Sequence, residues 1–393
     1  MPERALSPET VGEIMSGAIE YFREMVTTGR RASELQAFGG LVVGTYCNFV
    51  PEALVYALGA RPVRLCSGDR EAARAGEEQF PRDGCSLAKA CLGQALGNDP
   101  LFARLDLLVL PTSCDAKTKL GALLAEHKPV YVMQLPRAKS TRNATRLWLE
   151  EVWALVARLE KLAGRGLTRA ALEEAIARLN VREHAFRRFL ALRMRVPSAV
   201  TGEEALLVTN ASFTDDPARW TAQLERLCEE REARPAGARR PRLLLTGAPL
   251  IHPHLKLMRL IEEAGAEIAI DELCSGTQRL YDPIVFRDPS LRAMVESVAE
   301  KHLLPSTCPC FADGTDRLKR VRELAEQYQV DGVVYHSLRV CPPFDLEAVT
   351  MLRALKEDGL PCLHLTTDYA QDDTEQIRTR VAAFLEMLRS PVV

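Results

Sequence analysis

Short apolar runs bounded by glycine and proline recur along the chain, and between them apolar residues return at helical spacing. The first set comprises Leu41-Val42-Val43-Gly44, Pro62-Val63-Arg64-Leu65-Cys66, Asp106-Leu107-Leu108-Val109-Leu110-Pro111 and Pro129-Val130-Tyr131-Val132-Met133. Runs this short and continuously apolar read as strands buried on both faces, the pattern of a parallel sheet under covering helices. A helix is predicted over 51–58, between the first two runs. Residues 38–141 are therefore expected to form one α/β domain. A second set follows at 242–247, 267–271, 331–336 and 361–366, with helices expected at 254–264, 316–328, 345–358 and from about Thr374 to the end. Residues 241–393 form the second domain.

Between the two sets the period changes. Leu147, Trp153, Leu155 and Leu159 fit one long helix, and Leu172, Ile176, Leu179, Phe186 and Phe189 fit another, with Thr168 placed to cap it. Residues 142–240 thus read as a helical insert that ends in a linker over Glu229–Pro241. Residues 1–37 read as one amphipathic helical segment, with Val11, Ile14, Met15, Ile19, Phe22 and Met25 on one face. The fold class is α/β: two Rossmann-like or flavodoxin-like parallel-sheet domains joined by a helical segment.

Composition narrows the function classes. At 393 residues the chain is long for one core, so more than one domain is expected. A net charge of −2 gives no general attraction to nucleic acid or anionic lipid. The arginine pairs Arg187–Arg188 and Arg239–Arg240 lack interleaved aromatics and read as solvated surface. No signal-like N-terminus and no run of eighteen apolar residues is present, so a soluble cytoplasmic protein without membrane partners is expected.

Eleven cysteines change the picture. In a reducing compartment they divide among packing, catalysis and metal binding. Cys66, Cys91, Cys228 and Cys362 fall within or at the end of regular elements and read as packing. Cys47, Cys114, Cys274 and Cys341 instead follow strands, where open α/β sheets bind ligands. Cys308 and Cys310 share a loop, and Cys85 precedes a helix, where packing and ligation are evenly balanced. A cysteine at a helix start meets free N–H groups and the positive dipole end, which favours the thiolate that binds metal. Zinc is the rival ion, but the paired Cys-x-x-Cys spacing of structural zinc sites is absent. His252 and His254 read as helix-start residues, and Asp215-Asp216 and Asp372-Asp373 as turn or cap residues. Thr246-Gly247-Ala248-Pro249 is not a dinucleotide fingerprint, and no P-loop or nucleophile elbow occurs.

Taken in order, several segments resemble one family. Gly44-Thr45-Tyr46-Cys47 with Pro51-Glu52 is similar to the opening motif of the 2-hydroxyacyl-CoA dehydratases, a family that includes benzoyl-CoA reductase subunits. Pro111-Thr112-Ser113-Cys114-Asp115-Ala116-Lys117 resembles its Thr-Thr-Cys-Asp-Gly-Lys segment, although Ser113 and Ala116 depart from it. Asp331-Gly332-Val333-Val334 with Cys341 and the stretch from Thr367-Asp368-Tyr369 to Glu386 resemble its distal motifs. Pro342-Pro343 after Cys341 is a further departure. The resemblance runs from about residue 38 to the end.

That resemblance implies an oxygen-sensitive enzyme subunit. It implies a low-potential electron delivered by a separate ATP-hydrolysing iron–sulfur activator, which generates a ketyl radical on a 2-hydroxyacyl-CoA thioester so that water leaves. It also implies a [4Fe-4S] cluster, with Cys47, Cys114 and Cys341 at the matching positions. Cys274-Ser275-Gly276 and Cys308-Pro309-Cys310 further resemble the single-subunit branch, which carries a double-cubane [8Fe-9S] cluster, works as a homodimer and reduces small molecules. Two bridged cubanes need about six thiolates, which Cys47, Cys85, Cys114, Cys274, Cys308 or Cys310, and Cys341 can supply. Three expectations follow: a dehydratase or reductase subunit paired with itself or a related subunit, an electron-transfer module with no substrate of its own, or an α/β protein that is metal-free or binds zinc.

Overall fold

The computed structural model describes residues 17–233 and 237–389. Its frame is two four-stranded parallel sheets. The first contains β1 (Val42–Thr45), β2 (Arg61–Arg64), β3 (Leu107–Pro111) and β4 (Val130–Met133), in the order β2-β1-β3-β4. The second contains β5 (Arg242–Gly247), β6 (Glu267–Glu272), β7 (Gly332–Leu338) and β8 (Cys362–Thr367), in the order β6-β5-β7-β8. The two orders are the same, and each reverses direction between its first and third strands, as in flavodoxin-like sheets.

The duplication reaches the hydrogen bonds. Asp106, just ahead of β3, accepts from the Val42 N–H at 2.8 Å, and Asp331, just ahead of β7, accepts from the Arg242 N–H at 2.8 Å. Each aspartate ties the start of a third strand to the start of a first one. The inner strands are buried along their whole length, as the unbroken apolar runs predict. The edge strands β4 and β8 are partly exposed.

Each predicted strand and helix of the two sheets lies within a few residues of the observed one. The helical segment consists of Arg142–Ala163, Arg169–Met194, Gly202–Ala211 and Pro217–Glu232. Thr168 caps the second of these through the Ala171 N–H, and Asp216 caps the fourth. The linker reading needs a correction at its start: the fourth helix runs on to Glu232, because Arg231 folds inward and bonds Glu204 at 2.6 Å. The N-terminal segment is also broken. Helices Ala18–Met25 and Thr28–Ala37 meet at Thr27, whose hydroxyl caps the second through the Arg30 N–H at 3.4 Å. Val11, Ile14 and Met15 lie outside the described residues. Asp215 lies in the turn before Asp216, as expected, and is also buried, accepting from Tyr21 Oη at 2.5 Å and from Arg219.

The helical segment locks the two sheets together. Arg193, fully buried on the second helix, pairs with Asp271 on β6 at 2.7 Å, and Trp148 on the first donates to the Ala299 carbonyl at 2.7 Å. Direct contacts join the sheets as well. The Gly68 N–H reaches the His252 carbonyl, and Tyr369 Oη donates to the Ser67 carbonyl at 3.0 Å. One continuous hydrophobic core includes residues of both sheets. No described helix is long and apolar enough to cross a membrane.

The Gly68 contact is a steric constraint as much as a hydrogen bond. A Cβ there would lie 1.9 Å from the Ile251 carbonyl oxygen and 2.9 Å from the His254 nitrogen, both backbone atoms. Gly68→Ala is expected to force the sheets apart and lower unfolding free energy by about 1–3 kcal/mol. Denaturant titration checks this, and an unshifted midpoint would show that the seam yields without cost.

Candidate functional site

The carboxyl ends of both sheets open on one cavity of about 860 Å³, its open mouth included. Cys47 comes two residues after β1, Cys114 three after β3, Cys274 two after β6 and Cys341 three after β7. All four line this cavity, as do Cys85, Cys308 and Cys310. Every cysteine that the chain pattern separates from packing is thus brought to one place, by two sheets distant in sequence. Cys66, Cys228 and Cys362 lie elsewhere. Cys91, read as a packing residue, is buried yet also faces the cavity, beside Cys66. Its helical period gave no sign of this, because the covering helix Ser86–Leu96 is buried on nearly every side.

Local structure explains the placement. Cys85, Cys114 and Cys341 each stand at the N-cap of a helix, namely Ser86–Leu96, Asp115–Leu124 and Pro342–Glu357. Pro342 fits the first turn, where no N–H is required. Ahead of Cys341 the chain turns through Val340 at φ 58°, a left-handed conformation that a β-branched residue rarely adopts.

The sulfurs influence one another strongly. Cys85 and Cys341 are hydrogen-bonded neighbours; that bond lowers the Cys85 thiol to about 6 and raises Cys341. The Cys310 side chain, then burial, pushes Cys308 up. Burial raises Cys114 and Cys274, opposed respectively by Lys117 and Arg64.

Two cations anchor the wall. Arg64 lies 3.7 Å from Cys274 Sγ, donates to the Cys274 carbonyl at 2.7 Å and holds Asn48 Oδ1 at 2.5 Å. Lys117 donates to the Tyr46 carbonyl at 2.7 Å. Burial works against the charge of both. Negative sulfur outweighs it, from Cys66, Cys274 and Cys47 at Arg64 and from Cys47, Cys66, Cys114 and Cys274 at Lys117, so both pKa values rise. Arg317 also lines the cavity, bonded to Glu272 at 2.6 Å. Lys117 follows Cys114 closely enough to be noticed in the sequence. The signal for Arg64 was fainter, a charge inside an otherwise apolar strand.

This arrangement suits a polynuclear centre with thiolate ligands. Cysteines drawn from both sheets surround a volume, and the cations Arg64 and Lys117 face their sulfurs. Among the described residues, no three or more His, Cys, Asp or Glu side chains form a group able to hold a single ion. His252 and His254 stand just ahead of the helix Lys256–Glu263, as expected: His252 lies at the seam between the sheets, and His254 is buried against Tyr369, with ring centroids 4.7 Å apart.

Comparison with known proteins gives the family. The family profile described as 2-hydroxyglutaryl-CoA dehydratase, D-component, matches residues 47–388. YjiM of Escherichia coli (strain K12) is 33% identical over 377 residues, covering 94% of this chain and 97% of that protein. The (R)-phenyllactyl-CoA dehydratase beta subunit of Clostridium sporogenes is 22% identical over 373 residues, covering 93% and 97%. Subunit beta of (R)-2-hydroxyglutaryl-CoA dehydratase from Acidaminococcus fermentans (strain ATCC 25085 / DSM 20731 / CCUG 9996 / CIP 106432 / VR4) is 24% identical over 384 residues, covering 95% and 100%. The chain belongs to the 2-hydroxyglutaryl-CoA dehydratase D-component family and is an enzyme component of that dehydratase and reductase type.

Beside the cavity, Glu52 sits between Arg182 at 3.2 Å and Arg279. Burial would raise its carboxyl, but the two guanidiniums hold it down to about 2. A carboxyl depressed on folding contributes stability that is complete above its unfolded value, near 4.5, and is lost as pH falls toward 2. The loss across that window is on the order of 3 kcal/mol. Unfolding free energies measured from pH 5 downward should fall more steeply for the native chain than for Glu52→Gln. Equal slopes would reject the pairing.

Proposed function

We propose that the cysteine cavity holds an iron–sulfur cluster and that the chain works as an oxygen-sensitive, cytoplasmic dehydratase or reductase component. The observation that carries this reading is the meeting of seven loop and helix-start cysteines, from both sheets, around one cavity. Cys47, Cys114 and Cys341 would hold a [4Fe-4S] core set. Cys85, Cys274 and the Cys308/Cys310 loop extend it to the six or so thiolates of a double-cubane [8Fe-9S] cluster. The double cluster is the better fit, because Cys274 and the Cys308/Cys310 loop bring ligands from the second sheet that a three-cysteine site leaves without a role. When bound, such a cluster supplies single low-potential electrons to a substrate held beside it.

The chain's own groups would do the rest. Arg64 and Lys117 would neutralise thiolate charge, and Tyr46 and Asn48 fix those two cations. An ATP-hydrolysing iron–sulfur activator would deliver the electron. The beta-subunit names of the relatives support a partner subunit, either a second copy of this chain or a related one. Candidate substrates are a 2-hydroxyacyl-CoA thioester or another small reducible molecule.

Iron and acid-labile sulfide per chain, measured after anaerobic purification, test the assignment. Cys114→Ser should lose most of its iron and remain folded; unchanged iron would remove Cys114 from the ligand set. About eight irons in the native chain, falling clearly in Cys274→Ser, support the double cluster. About four in both reduce the site to a single cubane and return Cys274 to packing.

A further inference from the structure

Arg317, which lines the cysteine cavity, stands between two carboxylates. Glu272 at the end of β6 lies 2.6 Å away, and Glu347 lies 2.9 Å away on the helix that starts at Cys341. All three side chains are more than nine-tenths buried. One cation thus faces two carboxylates, in a place where an unmatched charge is costly.

The two carboxylates are not held alike. Glu272 accepts from Arg317 Nη1, from Thr246 Oγ1 at 2.8 Å, from Gln278 Nε2 at 2.5 Å and from the Thr307 hydroxyl. Donors on both its oxygens fix it in the ionised form. Glu347 instead accepts from Tyr335 Oη, at 2.7 Å to Oε2. Arg317 Nε lies beside that oxygen, but its N–H makes no hydrogen bond. Glu347 Oε1 is buried without any partner.

The groups that face Glu347 are Arg317 from the helix Thr315–Gln327, Tyr335 from β7 and, beyond Arg317, Glu272 from β6. His364 on β8 stands edge-on behind Tyr335, with ring centroids 5.7 Å apart, and burial lowers its imidazole, so it adds no charge at neutral pH. Burial raises the Glu347 carboxyl above its ordinary value, against the pull of Arg317 and Tyr335.

We infer that Glu347 is a proton-storing residue that acts through Arg317: it takes a proton from solvent when an electron enters the cysteine cavity and releases it when the electron leaves. The electron comes from the iron–sulfur activator, the proton forms an O–H bond on the Glu347 carboxylate, and the charge of the buried site is unchanged. Arg317 carries the coupling because it faces the cavity sulfurs, Cys308 among them, and Glu347 together. Negative charge at the sulfurs and an ionised Glu347 compete for this one cation, so electron uptake and proton uptake favour each other equally. The coupling rests on the cluster reading, whereas the raised proton affinity of Glu347 does not.

Infrared spectroscopy of the iron-free full chain tests the proton. The carbonyl stretch of a neutral carboxylic acid is expected to persist above about pH 6, where exposed carboxylates are ionised, and to be lost in Glu347→Gln. Tyr335→Phe removes a donor to the ionised form, so it should raise the proton affinity about tenfold and carry the stretch about one pH unit higher. Misfolding would expose the carboxyl and shift the stretch the opposite way. Absence of the stretch above about pH 6, or its persistence in Glu347→Gln, overturns the inference. Redox titration of the iron-loaded chain tests the coupling. The midpoint potential should fall as pH rises, by up to tenfold in the equilibrium per pH unit, about 59 mV for one electron, and the slope should flatten in Glu347→Gln. Equal slopes in the two chains, flat or steep, overturn it. A native chain that never holds iron sinks the cluster reading and the coupling with it, whereas an iron-loaded chain lacking the stretch sinks the proton store alone.

Discussion

Eight cysteine sulfurs share the wall of one cavity, and the chief physical difficulty of this fold is to bury them together. Thiolates crowded at low dielectric repel one another and lose hydration, so each must share a proton, meet a cation or bind a metal. The chain uses the first two devices within its own side chains. Cys85 and Cys341 share a hydrogen bond, as do Cys308 and Cys310, while Arg64 and Lys117 stand against the remainder. The contacts between Cys85 and Cys341 and between Arg64 and Cys274 cross from one unit to the other, as does the seam where Gly68 brings backbone against backbone.

The sheets were legible in the sequence because buried parallel strands leave continuous apolar runs, and the loop cysteines because they fell outside those runs. Only the three-dimensional arrangement could show that the cysteines of two units meet. Periodicity says which face of an element is apolar, but not which distant loop lies opposite. Cys91 was obscured for a related reason, since a helix buried all round gives no contrast between its packing face and its cavity face. The break at Thr27 and the inward fold of Arg231 were missed because each depends on one particular hydrogen bond.

Buried ion pairs such as Arg193–Asp271 were also invisible from the pattern, where a lone arginine in a helix reads as surface. Such pairs are weak sources of stability, because desolvation cancels most of the attraction. Their effect here is positional. Arg193 holds β6 from the helical insert, and the end of β6 delivers Cys274 to the cavity. Arg64 then grips the Cys274 carbonyl from the first sheet. The two contacts fix Cys274 from opposite sides.

Asn48 shows how closely the two cavities are joined. Its side-chain oxygen takes Arg64 from the cysteine wall, and its carbonyl takes His302, which lines the adjoining pocket together with Glu52, Arg182 and Arg279. It directly follows Cys47, so a displacement of that cysteine is transmitted to both bonds. Four residues on, Glu52 opens the next helix and engages Arg182 and Arg279. A short stretch of chain therefore carries a candidate cluster ligand, a residue common to both cavities and the carboxylate that lies between Arg182 and Arg279.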